Sequence, residues 1–302
     1  MNIALVLVTF NRCQLLQEML DSVQQLSIRP NHVYVVDNNS SDDTQTMVSK
    51  FIETHRPSLS ISYHNTGANL GGAGGFEYGS RLAYENKHDW IWLADDDVIF
   101  EHDCLEELMK HHDEGAILQP MRMNTDGSCA EISGIDYEIN NILRLNPKQN
   151  TIVDIFHKKW DRHELKTIPF EGPCIKREVF EKIGFPNPKF FIFYDDLDFA
   201  IRANRAGFKI QCIKSAKMVR KIPFIQSRAL GSWKGYFMYR NFFKVQILYS
   251  KKPIGLIRCI LIYILVACYS IMKGQFKSIN ALNCALRDAF STDFQLDNRF
   301  KP

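Results

Sequence analysis

Between Phe199 and Arg287 there is not one acidic residue, against 17 Lys and Arg. Residues 1–198 carry the opposite bias, with 18 Lys and Arg to 31 Asp and Glu, a balance of −13. The net charge of +3 therefore hides an acidic front and a basic back. A back without carboxylates cannot neutralise itself, which points to an anionic partner. The eight cysteines include no C-x-x-C and no cluster. That argues against a zinc site or a disulfide framework and suits a reducing compartment. The start, Met1 to Leu5, lacks a charged leader and a small-residue cleavage site, so a cytoplasmic setting is expected. No internal repeat or low-complexity tract is evident.

What is present is an α/β pattern. The chain has 302 residues, 45% apolar and 24% charged, enough for one large domain or two smaller ones. Ile3–Thr9 and Val33–Val36 are continuous apolar runs, typical of strands covered on both faces. Ser60–His64 alternates as a third strand, and Trp90–Ala94 is a fourth. Helices are predicted over Gln14–Gln25, with Asn11 as its cap, over Thr44–Thr54, and near Gly75–Glu85. The alternation implies right-handed crossovers and a mostly parallel sheet with helices on both faces. Residues 115–170 suggest only short strands and loops. A helix over Ile175–Ile183 ends at Gly184. Phe190–Tyr194 reads as an aromatic strand leading into a helix over Phe199–Ala206, closed by Gly207.

The chemistry gathers at the carboxyl ends of these strands, where open parallel sheets bind ligands. Asp95, Asp96 and Asp97 follow the fourth strand directly. Like charges so close repel, and a hard divalent cation such as Mg2+ or Mn2+ resolves the conflict. Asn69-Leu70-Gly71-Gly72-Ala73-Gly74-Gly75-Phe76 opens a helix with four glycines in five positions, suited to close backbone approach by phosphate. It is not a dinucleotide fingerprint, because it follows the third strand and lacks the G-x-G-x-x-G spacing. An oxidoreductase reading fails on that point. Asp195-Asp196-Leu197-Asp198 forms a second acidic cluster behind an aromatic wall. Carboxylates near apolar surface and near each other gain proton affinity, as a general base at neutral pH requires. Helix capping would account for one of these aspartates, not three.

The ordered succession V-T-F-N-R, V-V-D-N-N-S-S-D-D-T, N-L-G-G-A-G-G-F, W-L-A-D-D-D and D-D-L-D resembles inverting, family 2-type glycosyltransferases of the GT-A fold. The likeness runs from residue 3 to about 245. Within the family it leans toward the galactofuranosyl- and rhamnosyltransferases of bacterial surface polysaccharide synthesis. The resemblance implies that Thr9, Asn11, Arg12 and Asp37 line the nucleotide. Asn69, Gly71, Gly72, Gly74 and Gly75 would face the diphosphate and donor sugar. Asp95 and Asp97, with Asp96 between them, would hold Mn2+ or Mg2+ and the diphosphate. Asp196 would be the catalytic base, with Asp195 as the alternative. Tyr239-Arg240-Asn241 resembles a late aromatic-R-N element and adds Arg240 to the donor set. Such enzymes commonly carry a metal-ligating His past the base. The last His here is His163, and Ser215–Lys221 offers Arg220 or Lys221 as a fixed cation instead. The implied donor is a nucleotide-diphosphate sugar and the implied acceptor a glycan or lipid-linked oligosaccharide. A scaffold that binds the donor without turnover is the competing reading.

The expected organisation is a nucleotide-sugar half at 1–114, an acceptor and base half at 115–230, and a C-terminal helical region at 231–302. In that last region Ile254–Met272 is apolar and flanked by Lys251, Lys252, Lys273 and Lys277. Basic flanks at both ends suit a helix lying on the anionic inner face of the cell membrane better than one crossing it. No nucleic-acid motif accompanies the nearby aromatic residues, so no nucleic acid is expected. Oligomeric state stays open.

Overall fold

The computed structural model describes residues 1–55, 58–223 and 232–301, with Lys277 by its backbone alone. Residues 224–231, and with them the start of the expected C-terminal region, lie outside it. Four parallel strands form one half of a sheet: β1 (Ile3–Thr9), β2 (His32–Asp37), β3 (Ile61–Asn65) and β4 (Trp90–Asp95). The other half is mixed: β5 (Val98–Phe100), β6 (Ile117–Asn124), β7 (Arg162–Glu164), β8 (Cys174–Lys176) and β9 (Ile210–Arg220). The order is β3-β2-β1-β4-β8-β6-β9-β5, with β7 on β9. Strands from residues 1–114 and 115–230 thus share one sheet.

All seven residues of β1 are buried. Their two-residue period splits the core. Ile3, Leu5 and Leu7 pack with Leu16, Met19 and Val48 on one face. Ala4, Val6 and Val8 pack with Phe76 and Phe199 on the other. Each Leu, Ile, Val, Met or Phe among them, fully buried, contributes about 1.5–3 kcal/mol. The helices are α1 (Cys13–Gln24), α2 (Thr44–His55), α3 (Gly71–Glu85), α4 (Cys104–Lys110), α5 (Ile152–Ile155), α6 (Arg177–Ile183) and α7 (Asp195–Arg205). Three more follow: α8 (Lys234–Tyr249), α9 (Lys252–Met272) and α10 (Phe276–Phe290).

Several sequence expectations are corrected. Asn11 does not cap α1; it sits at φ 52° and its Oδ1 accepts from Ser41 N. Asp42 takes that role from another loop, accepting from Cys13 N at 3.0 Å. Residues 115–170 contain an eight-residue strand, β6, buried except at its end. Pro120 and Arg122 disguise it. Arg122 is buried because Glu131 and Glu171 take its donors at 3.0–3.1 Å. Phe190–Tyr194 is not a strand. A short 3-10 turn covers Pro188–Phe190, and Phe191, Phe193 and Tyr194 then adopt positive φ.

Helix α8 is buried on most sides, with Phe237 stacked on Phe191. Helix α9 is different. Only 22% of its apolar stretch is buried. Gly255, Arg258, Cys259 and Ser270 face inward, while Leu256, Ile260, Leu261, Ile264 and Leu265 are exposed. Arg258 donates to the carbonyls of Ile139, Asn141 and Arg144 and to Gln246 Oε1, all at 2.6–3.1 Å.

Candidate active site

Strands β1 and β4 are adjacent and parallel, with Val8 opposite Asp95. Their ends therefore meet at one place. A cavity of about 650 Å³ opens there, lined by Thr9, Phe10 and Arg12 from the first strand end and Asp95, Asp96 and Asp97 from the fourth.

The three aspartates differ. Asp96 is buried and accepts from Thr9 Oγ1 at 2.7 Å and Arg12 Nη1 at 2.9 Å. Arg12 also reaches Asp97 at 3.1 Å. Asp95 and Asp97 are half-buried. Burial, then Asp97 and Glu171, push the Asp95 carboxyl well above its ordinary range. Burial and Glu171 push Asp97 up to about 6. These two carboxylates lack enough positive charge around them, and a cation arriving in the cavity is favoured by that deficit.

The glycine run divides in two. Gly71 begins α3 at φ 70°, and a Cβ there would lie 2.2 Å from Phe191 O. Gly71 and Gly72 line the cavity beside Asn69. Gly74 and Gly75 are not among the lining residues. A Cβ on Gly75 would meet Val8 Cγ1 at 2.5 Å, and one on Gly74 would meet Leu70 Cβ at 2.6 Å. Gly75 seats the helix on the sheet and Gly74 leaves room for Leu70, so the expectation that they face the donor is corrected. The amides of Gly71 and Ala73 already donate, to Asn69 Oδ1 and Phe191 O.

Asp37, Asn11 and Arg240 are likewise absent from the lining. Asp37 is sealed by Ser40 N and Oγ on one oxygen and by Tyr63 OH at 2.5 Å on the other. With Asn11 it braces the loop beyond Asn38, which does line the cavity. Arg240 is fully buried, held by the carbonyls of Lys189, Phe294 and Gln295.

The second acidic cluster forms the first turn of α7, and Asp195 and Asp196 both line the cavity. Asp198 does not; it pairs with Arg202 at 2.8 Å and accepts from Tyr249 OH. Asp195 is buried, and that burial, with Asp196 beside it, pushes its carboxyl well up. Asp196 is half-buried and accepts from Leu197 N at 2.7 Å. Burial raises it to about 6 against the lowering by Leu197 N, Lys148 and Arg122. A carboxylate of that proton affinity suits general base work. The left-handed backbone of Phe191, Phe193 and Tyr194 costs of order 1–3 kcal/mol per residue.

The two cations named from sequence are both paired. Arg220 lines the cavity but is paired with Glu171 through two donors. Lys221 pairs with Glu18 at 2.9 Å. Lys234, at the start of α8, lines the cavity within the field of Asp97 and Asp95. Burial and the neighbouring Arg12 lower its proton affinity, and the two aspartates raise it. Sequence reasoning missed Lys234 and Glu171. The signal for Lys234 was its position next to Trp233, ahead of the aromatic-R-N element.

Residues 4–184 match Glycosyl transferase family 2. The chain belongs to that family. This family 2 glycosyltransferase is 24% identical over 293 residues to the low-salt glycan biosynthesis hexosyltransferase Agl10 of Haloferax volcanii, covering 88% of this chain and 89% of the relative. It is 28% identical over 264 residues to the galactofuranosyltransferase GlfT1 of Mycolicibacterium smegmatis, covering 78% and 80%. The solved mannosyltransferase PcManGT from Pyrobaculum calidifontis, in complex with GDP-Man and Mn2+, aligns with a TM-score of 0.58 at 18% identity. That alignment covers 95% of this chain and 74% of the other. The shared architecture is the GT-A fold, a mostly parallel sheet with helices on both faces.

Among the described residues of this family 2 glycosyltransferase, no group of three or more His, Cys, Asp or Glu side chains could hold a metal unaided. Asp95 and Asp97 nonetheless fit a hard divalent cation, because each is an oxygen donor raised in proton affinity by its neighbours. Asp95 and Asp97 would hold such a cation through carboxylate oxygens, the ligand type Mg2+ prefers.

Proposed function

We propose that the chain moves a hexosyl unit, galactofuranose or rhamnose, from a nucleotide-diphosphate donor to a hydroxyl of a lipid-linked glycan, with inversion, in cell-surface polysaccharide synthesis. One observation carries this reading. A single cavity has a cation-seeking carboxylate pair, Asp95 and Asp97, and a separate carboxylate, Asp196, with a pKa of about 6.

Asp196 takes the proton of the acceptor hydroxyl. The hydroxyl oxygen forms its bond to the anomeric carbon as the bond from that carbon to the diphosphate oxygen breaks. The bonding pair leaves with the nucleoside diphosphate, and attack opposite the leaving group inverts the centre. Arg12 and Lys234 supply positive charge toward the departing diphosphate. A divalent ion held by Asp95 and Asp97 would supply Lewis-acid charge there. Asn69, Gly71 and Gly72 form the wall for the donor sugar.

We further propose peripheral attachment to the inner face of the cell membrane through α9. Its exposed apolar face, the inward-turned Arg258 and the acid-free stretch around it support an in-plane helix. A crossing helix would have to leave the helices against which α9 is packed.

The test is a panel of nucleotide sugars with a polyprenyl-linked glycan acceptor, with and without Mn2+, the anomeric configuration of the product read by NMR. Transfer with inversion from one hexose donor is expected. Tight donor binding without transfer or hydrolysis across the panel would favour the scaffold reading.

A further inference from the structure

The backbone that delivers Asp195 and Asp196 to the cavity is held carbonyl by carbonyl. The side-chain amide nitrogen of Asn241 lies 2.9 Å from Phe190 O, 2.8 Å from Ile192 O and 2.9 Å from Phe193 O. The remaining carbonyl, that of Phe191, accepts from Ala73 N at 3.0 Å. Four consecutive carbonyls are therefore pinned, three of them by one side chain 48–51 residues away. Phe191, Phe193 and Tyr194 within this segment have φ of 64°, 66° and 67°. Aromatic residues avoid that region unless their surroundings impose it.

Asn241 is itself oriented. Its Oδ1 accepts from Arg240 Nη1 at 2.8 Å, so the nitrogen must face the three carbonyls. Arg240 is fixed by three further carbonyls and lies over the Phe294 ring at 3.7 Å. Both side chains are fully buried. Neither lines the cavity.

We propose that Asn241 is a positioning residue for the transfer reaction: by clamping the carbonyls of Phe190, Ile192 and Phe193 it forces the left-handed entry into α7 that aims Asp196 at the acceptor. The clamp also ties the base to the donor wall, because Ala73, which holds Phe191, follows Gly71 and Gly72. This inference rests on the reading of Asp196 as the base.

The experiment compares Asn241→Ala, Asn241→Ser and Asp196→Asn in the full chain. Nucleoside diphosphate binding is measured by calorimetry to count competent sites, and transfer is then expressed per site. The clamp predicts that Asn241→Ala keeps full stoichiometry and donor KM. Its kcat falls ~100-fold, as a displacement of about 1 Å would cause, and the acid limb of its pH–rate profile moves. Asn241→Ser, with one donor left, falls between the two. A kcat per site within about 3-fold of the parent, with an unmoved acid limb, would overturn the proposal. So would loss of nucleotide binding in both variants, since the clamp would then serve the whole fold. Should Asp196→Asn stay active, the base assignment fails separately, and the Asn241 outcomes still report on α7.

Discussion

Arg220 and Glu171 meet as a two-point ion pair on the cavity wall, and Glu171 Oε2 also accepts from Arg122 Nη1 at 3.1 Å. The charge of Arg220 is thus already matched before any diphosphate arrives. Glu171 also raises the proton affinity of Asp95, Asp97 and Asp196. Glu171→Gln should release Arg220 and lower all three. Nucleoside diphosphate should bind a few-fold tighter, and the acid limb of kcat/KM should move to lower pH. Weaker binding in calorimetry with the fold intact would contradict this role.

Asp97→Ala removes a cavity-lining carboxylate that the proposed reading turns toward the donor diphosphate. Binding of the nucleoside diphosphate in Mn2+ should weaken by about 10-fold or more, with an unchanged circular dichroism spectrum. Unaltered affinity would show that the diphosphate does not use this wall.

Asp196→Asn should abolish transfer and preserve donor binding, because only the proton acceptor is lost. As the proposed base Asp196 acts deprotonated, and burial raises its carboxyl to about 6. Activity should therefore hold above that pH and fall as pH drops through it. A dead Asp195→Asn beside an active Asp196→Asn would exchange the two assignments.

Arg122 and Glu131 are both buried and joined by two contacts of 3.0 and 3.1 Å. Glu131→Ala leaves part of the Arg122 charge unmatched and should cost roughly 3–5 kcal/mol in urea unfolding. Replacing both with apolar residues of similar volume should cost less. Equal losses in the single and double variants would show that packing, not charge, dominates at this point.

The basic back predicts liposome behaviour. Flotation with anionic vesicles should succeed at low salt, weaken at high salt and not vanish, because the apolar face of α9 adds a part that salt does not screen. Each Lys or Arg near the surface contributes on the order of 1 kcal/mol. Equal partition to neutral and anionic vesicles, or none to either, would assign the charge to some other partner.

The parallel half of the sheet was legible because its strands are continuous apolar runs, and because Asp37, the glycine run and Asp95–Asp97 mark their ends. What sequence could not supply were partnerships formed across long separations. Arg122 looks like a surface residue until Glu131 and Glu171 surround it. Phe190–Tyr194 looks like a strand until Asn241 holds its carbonyls. Gly74 and Gly75 look like a phosphate loop, yet Leu70 and Val8 need that space for packing. Arg240 looks like an anion ligand, yet among the described residues its contacts are carbonyls, one amide oxygen and a ring. Composition shows residue types, not which of them find each other.

Arg258 bears on geometry as much as on solubility. It is the one charge within the apolar stretch of α9, and it is bolted to the 139–144 loop and to Gln246 of α8. Helix α8 also carries Asn241, which grips the backbone leading to Asp196. The exposed face of α9 and the candidate base are thus joined through α8. On the proposed membrane attachment, the height of Asp196 above the bilayer would be set by these contacts. An acceptor sugar would be selected partly by how far it stands from its anchor.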